Sequence, residues 1–145
     1  LSIGDGDTLR VRHGSQGLTV RLACIDAPEM SQGKQGLLAR QSLQQALPLG
    51  SSVVPKLQTT DRYGRAVADV ISNPPTGHRP INLTLVAEGH AFAYRQYLRE
   101  CDAQAYLAAE AKARRLHRGV WEVPGGMTRP WDYRAARHQP VAHGS

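Results

Sequence analysis

Two alternating runs, Thr8-Leu9-Arg10-Val11-Arg12 and Leu18 to Ile25, are separated by the glycine-bearing stretch His13-Gly14-Ser15-Gln16-Gly17. Apolar residues at every second position suit a pleated strand with one buried face, and the glycines suit a tight reversal. Together they predict a β-hairpin. Leu1-Ser2-Ile3 leads into Asp5-Gly6-Asp7-Thr8 as if a further strand began at or before Leu1, which gives a three-stranded meander. Asp26-Ala27-Pro28-Glu29 closes it, because proline lacks a ladder donor. A hairpin sets the start of one strand beside the end of its partner, so Asp7 and Asp26 are predicted to approach each other.

Downstream, Leu37, Leu38, Leu43, Ala46 and Leu47 recur at helical spacing between Gly36 and Leu47, and Pro48 with Gly50 stops the run. Ser52 to Gln58 reads as a strand in which Pro55 signals an edge or a bulge. Asp61-Arg62-Tyr63-Gly64 is a turn, Arg65 to Ile71 the returning strand, and Asn73 to Gly77 a loop. Ile81 to Glu88 is a short helix closed by Gly89. Asp102 caps a last helix to about Leu116, with Tyr106, Ala109, Ala113 and Leu116 on one face and Gly119 at its end. Beyond Trp121, Pro124, Gly125, Gly126, Pro130 and Pro140 predict an irregular tail against which Trp131 packs back. Strands, helix, two strands and two helices without a repeat fit an α+β chain: a small, mainly β barrel covered by helices on one side.

At 145 residues the chain is expected to form one domain with a core of its own. A net charge of +6 favours a polyanionic partner, and the basic excess lies from Arg95 onward. No run of eighteen apolar residues exists, so no membrane span is expected. The two cysteines, Cys24 and Cys101, lack metal-ligand spacing and read either as buried free thiols or as a disulfide. None of the six histidines is paired at ligand spacing.

The acids carry the chemistry. Two adjacent carboxylates either share a proton or hold a cation. An oxygen-only set without His or Cys favours a hard ion, Ca²⁺ or Mg²⁺, over zinc. Arg21, flanked by Val20 and Leu22, is costly to bury unless an anion meets it, in an ion pair or at a bound phosphate. Arg65 follows a tight glycine turn. Two guanidiniums facing a metal give the charge layout of phosphoryl transfer. One feature opposes this: Arg21 and Asp26 are five positions apart, so an unbroken strand would set them on opposite faces. Convergence requires the strand to bulge or end near Cys24 and Ile25.

Asp5-Gly6-Asp7-Thr8, then Arg21-Leu22 through Ile25-Asp26-Ala27-Pro28-Glu29, then Asp61-Arg62-Tyr63-Gly64-Arg65 resemble, in order, the three signature blocks of the staphylococcal-nuclease (thermonuclease) family. Asn82 to Gly89 and Gly119-Val120-Trp121 are similar to its later helical landmarks. The resemblance covers roughly residues 1–121 and leaves 122–145 as an irregular tail. It implies a five-stranded OB-fold barrel with three helices and a calcium-dependent endonuclease acting on DNA, RNA or both, with 3′-phosphate products. It further implies that Asp7, Asp26 and the Ala27 carbonyl bind Ca²⁺, and that Arg21 and Arg65 contact the scissile phosphate. Glu29 would meet the attacking water, and Arg62 and Tyr63 would hold a terminal phosphate. Alanine stands at Ala27 where the founding member has threonine, which keeps a carbonyl ligand and removes a hydroxyl. The loop after Glu29 is also shorter than in the founding enzyme.

Tyr94, Arg95, Tyr97 and Arg99 interleave rings with cations, and Tyr94 is the preferred substrate contact. The family fold further implies that Cys24 passes near Cys101, close enough for a disulfide. Lys112, Arg114, Arg115 and Arg118 read mainly as a solvated helix end. Trp121 and Trp131 read as packing residues. A monomer is expected, and secretion or the periplasm is favoured if a leader preceded this numbering. The chief rival is a non-catalytic nucleic-acid-binding OB module; retention of Asp7, Arg21, Asp26, Glu29 and Arg65 argues against it. A tethered accessory protein that merely docks through its basic face is a third reading.

Overall fold

The structure, a computed structural model, describes residues 2–72 and 78–138. The loop expected at 73–77 and the chain beyond 138 lie outside the described residues. Three antiparallel strands open the fold: β1 (Ser2–Asp5), β2 (Thr8–His13) and β3 (Gln16–Leu22). β4 (Ile25–Asp26) follows after a break, then helix α1 (Lys34–Ala46), β5 (Val53–Thr60) and β6 (Ala66–Ser72). The chain continues through β7 (Arg79–Pro80), α2 (Ile81–Ala87), β8 (Phe92–Ala93), α3 (Ala103–Arg115) and α4 (Pro130–His138).

The sheet runs β1-β2-β3-β6-β5, with β7 added against β6, and β4 pairs separately with β8. The central β3–β6 contact is parallel, through Val20↔Ala66, Arg21↔Val67 and Leu22↔Ala68. The result is a curled mixed sheet, half of a barrel, clothed by helices, as expected of a small α+β chain. Pro55 lies in β5, the edge strand, with a register shift between Leu57 and Thr59, where a missing N–H is tolerated.

Alternation decides which face is buried. Along β6 every second residue from Ala66 to Ser72 is buried, and Leu9, Val20 and Leu22 meet this face from the meander. Leu43 and Ala39 of α1 and Leu85 and Val86 of α2 complete the core. Asn82 stitches the layers together. Fully buried, it accepts from Val70 N (3.0 Å) and donates to the carbonyls of Ala23 (2.8 Å) and Ala68 (3.1 Å). Its amide thereby satisfies backbone groups where β3 ends, at a cost that leucine could not cover.

Two expectations change. Leu116 is half exposed, because α3 ends at Arg115 and the chain turns away through His117 at φ 53°; Glu110 is buried on that helix in its place. The stretch from Trp121 is not irregular throughout, since Pro130–His138 forms α4, a fourth α-helix among the described residues. Pro130, read as a breaker, is the first helical residue, where its missing N–H costs nothing, and Asp132 suits the positive helix start. Trp131 does pack back, edge-on to Phe92 at 5.9 Å.

Candidate active site

Asp7 sits in the turn between β1 and β2, held down by Gly6. A Cβ on Gly6 would lie 2.6 Å from Ala39 Cβ and 2.8 Å from Ala27 Cβ, so only glycine lets this turn rest on α1. The buried Asp7 carboxylate accepts from Ala27 N (2.7 Å) and from the Thr8 hydroxyl (3.3 Å). Asp26, fully buried, lies in β4 opposite Phe92.

The parity difficulty is resolved by a break in the strand. β3 ends at Leu22, and Cys24 turns the chain at φ 75°, a conformation rare for a residue with a side chain. Past this turn Asp26 faces back to Arg21. The Arg21 guanidinium donates to Asp26 Oδ1 (3.2 Å) and to the carbonyls of Leu22 (2.8 Å) and Ile25 (3.1 Å), and stands 3.5 Å from Asp7 Oδ2. One cation thus gathers both acids and clasps the turn that brings them together. Cys24, next to this segment, is disulfide-bonded to Cys101, which ties the turn to the start of α3.

Asp5 completes the acidic group, a member that the sequence reading quoted in a motif but did not single out. Its carboxylate accepts from Asp7 N at 3.1 Å. Burial and the neighbouring Asp7 charge push Asp5 up to about 7. Burial and Asp7 likewise push Asp26 up to about 6, against the pull of its arginines. Burial also opposes ionisation of Asp7, but Arg21 and the hydrogen bonds from Asp5 and Ala27 outweigh it and hold Asp7 below the usual range. Crowding thus works against ionisation of Asp5 and Asp26, the direction expected where carboxylates outnumber the cations beside them.

Glu29 opens a 3-10 turn over Met30–Gln32, its N–H donating to Gln32 Oε1 at 2.9 Å. Its carboxylate meets Arg134, a residue of α4 that carried no signal in the sequence. Arg134 donates to both oxygens of Asp26 (3.0 and 2.5 Å), to Glu29 Oε1 (2.8 Å) and to the Tyr94 hydroxyl (3.3 Å). Burial disfavours its charge, but these partners hold it more firmly protonated than a free arginine. Tyr94 is therefore at the site, with Trp131 stacked on its ring at 5.3 Å and 8°.

Arg65 is not brought to the acids. It is paired with Asp61 at 2.7 Å in its own turn, and Asp61 also accepts from the N–H groups of Tyr63 and Arg65 (2.9 Å each). Arg65 nevertheless precedes β6 in the same parity as Val67, the partner of Arg21, which sets it toward the Arg21 face. Arg62 donates to the Tyr63 hydroxyl (2.8 Å) at the exposed hairpin tip. Arg95 does not line the site, being bonded to the buried Glu110 and to the Ala93 carbonyl.

Among the described residues no three His, Cys, Asp or Glu side chains form a ready-made metal cage. The donor set still fits a hard cation. Asp7 and Asp26 offer carboxylate oxygens in a group where acids outnumber cations, and Ala27 is pinned beside Asp7; carbonyl and water oxygens ordinarily complete the shell of Ca²⁺ or Mg²⁺.

The family described as staphylococcal nuclease homologue matches residues 19–123. A micrococcal nuclease of Shigella flexneri is 41% identical over 91% of this chain and 76% of its own length. Protein ParB of Escherichia coli is 37% identical over 90% of the chain and 74% of its own. An uncharacterized endonuclease of Haemophilus influenzae is 36% identical over 83% of the chain and 64% of its own. With the curled sheet, the clasped acids and a match across most of its length, the chain belongs to the staphylococcal nuclease family.

Proposed function

We propose that this protein is a calcium-dependent endonuclease that hydrolyses phosphodiester bonds of DNA, RNA or both, leaving 3′-phosphate ends. One observation carries the reading: Asp7 and Asp26 meet on a single guanidinium, with Glu29 joined to Asp26 through Arg134. The family, and relatives named as nucleases, support the reaction class.

Asp7, Asp26 and the Ala27 carbonyl would hold the ion, which when bound supplies charge neutralisation at the phosphoryl oxygens. Arg21, fixed by two carbonyls, presents its fork beside that position, and Arg65 approaches from the neighbouring strand to share the phosphate. Glu29 orients or deprotonates the water whose oxygen attacks phosphorus; the bond from phosphorus to the 5′-oxygen breaks, and that oxygen takes up a proton from solvent. Arg62 and Tyr63 grip a flanking phosphate, and Tyr94 lies against the nucleotide. The disulfide supports an oxidising compartment.

The test is nicking of plasmid DNA and cleavage of RNA with Ca²⁺, Mg²⁺ or EGTA present. Cleavage with Ca²⁺ that stops in EGTA while the fold persists is expected. Undiminished cleavage in EGTA removes calcium from the scheme, and binding without cleavage under any of these conditions makes the chain a nucleic-acid-binding module.

A further inference from the structure

Helix α4 reaches the acids from the far end of the chain, and Arg134 takes both oxygens of Asp26 and one of Glu29. An anchoring role explains this poorly, because the helix is anchored by other means. Trp131 stacks on Tyr94 and meets Phe92 edge-on. Tyr133 donates to the Ser31 hydroxyl at 2.7 Å, and Gln32 donates to the Thr128 carbonyl at 3.0 Å. What Arg134 adds is a permanent positive charge whose fork matches a carboxylate, set on an acid that is wholly buried. The Arg134 side chain is itself 31% exposed, so unlike Asp26 it is not locked inside the core.

We propose that Arg134 is a built-in competitor for the divalent cation: seated on Asp26, it meets part of the acids' demand for positive charge, and an ion enters only as Arg134 lets go. The proposal rests on the reading that these acids hold a cation. Arg134 takes both oxygens of Asp26, and a cation bound there would add a third positive charge to the two guanidiniums already on this buried carboxylate, which repel it. Apparent affinity then falls by the fraction of molecules in which Arg134 has swung away. If it is seated about nine-tenths of the time, Ca²⁺ binds roughly tenfold more weakly than the acids alone would allow. α4 thereby sets the calcium concentration at which the site is filled.

The experiment is an equilibrium Ca²⁺ titration by calorimetry, without nucleic acid, of the full chain and of Arg134→Gln, Arg134→Lys, Asp26→Asn and Arg115→Gln. Circular dichroism of each variant checks its fold. Arg134→Gln is expected to bind Ca²⁺ about tenfold more tightly, and Arg134→Lys, which keeps the charge but loses the fork, to fall between. Arg115→Gln, which removes an equal charge from the exposed end of α3, should match the unaltered protein. Asp26-dependent binding that is equal in the unaltered protein and Arg134→Gln, or weaker in Arg134→Gln, overturns the competition and leaves the cation reading standing. A tightening in Arg115→Gln as large as that in Arg134→Gln also overturns it, in favour of general charge. Absence of Asp26-dependent heat in every protein, Arg134→Gln included, removes the cation reading itself.

Discussion

Single side chains at this site are set by what surrounds their charge. Arg65 is paired with a partly exposed turn acid and lies over the exposed Tyr63 ring at 5.4 Å, and surface pairs of this kind contribute little to stability, about 1 kcal/mol or less. Arg65→Ala should therefore fold normally yet cleave about a hundredfold more slowly, the usual cost of one donor lost from a charged transition state. A rate equal to the parent's in a nicking assay would remove Arg65 from the chemistry. Asp5 makes the opposite kind of prediction. Its carboxyl is near 3.8 in the unfolded chain and about 7 in the fold, so the native state binds the extra proton between those values. Its contribution is fully present below about pH 4 and is lost as pH rises through 7. Asn at this position keeps the oxygen that accepts from Asp7 N and never ionises. In chelator, Asp5→Asn should gain on the parent as pH rises from 4 to 7, by on the order of 2 kcal/mol. Urea unfolding of both proteins at several pH values measures the gap, and a gap constant with pH refutes the assignment.

Elements place these charges, and Gly36 in the first turn of α1 illustrates how closely. A Cβ there would lie 2.2 Å from the Glu29 carbonyl oxygen and 2.8 Å from its carbon, both backbone atoms that cannot rotate aside. In an exposed helix Gly→Ala stabilises by up to about 1 kcal/mol. Here Gly36→Ala should destabilise by about 1–3 kcal/mol and lower kcat by displacing Glu29, while substrate affinity in chelator stays unchanged. A more stable protein of full activity would show that α1 does not back the catalytic segment. The same elements divide by how far their signals reach. The hairpin of β2 and β3 was legible because period-2 alternation and a glycine turn are local, and the return of Asp26 to Arg21 required only a strand break that proved to lie at Cys24. Arg65 was legible as a site candidate through its glycine turn and motif order, and its side chain rests on Asp61 because that acid is four residues away and already fixed by the turn. α4 was not legible as a site element. Pro130 has two meanings, and nothing near Arg134 in the chain announces a partner 108 residues earlier.

At the scale of the whole molecule, the net charge of +6 conceals a division of labour. On the proposed reading the acids hold a cation, and attraction for a polyanion then comes from cations outside that group. At the end of α3, Arg114 lies over the Trp121 ring at 5.4 Å and Arg118 donates to the Ala87 carbonyl at 3.0 Å, so both already hold structure together. Lys112 and Arg115 are exposed at that helix end and act only through a field that salt screens within about 10 Å at 0.1 M. Arg62 and Arg65 stand on the turn between β5 and β6, and on the proposed reading the phosphates pass them. Each phosphate neutralised on duplex DNA contributes about 0.9 to the slope of log K against log salt. In chelator, where cleavage is stopped, replacing Arg62 and Arg65 by glutamine should flatten that slope by about two, whereas replacing Lys112 and Arg115 should leave it nearly unchanged. The reverse pattern would move the track of the nucleic acid to α3, and the hairpin would lose its place beside the substrate.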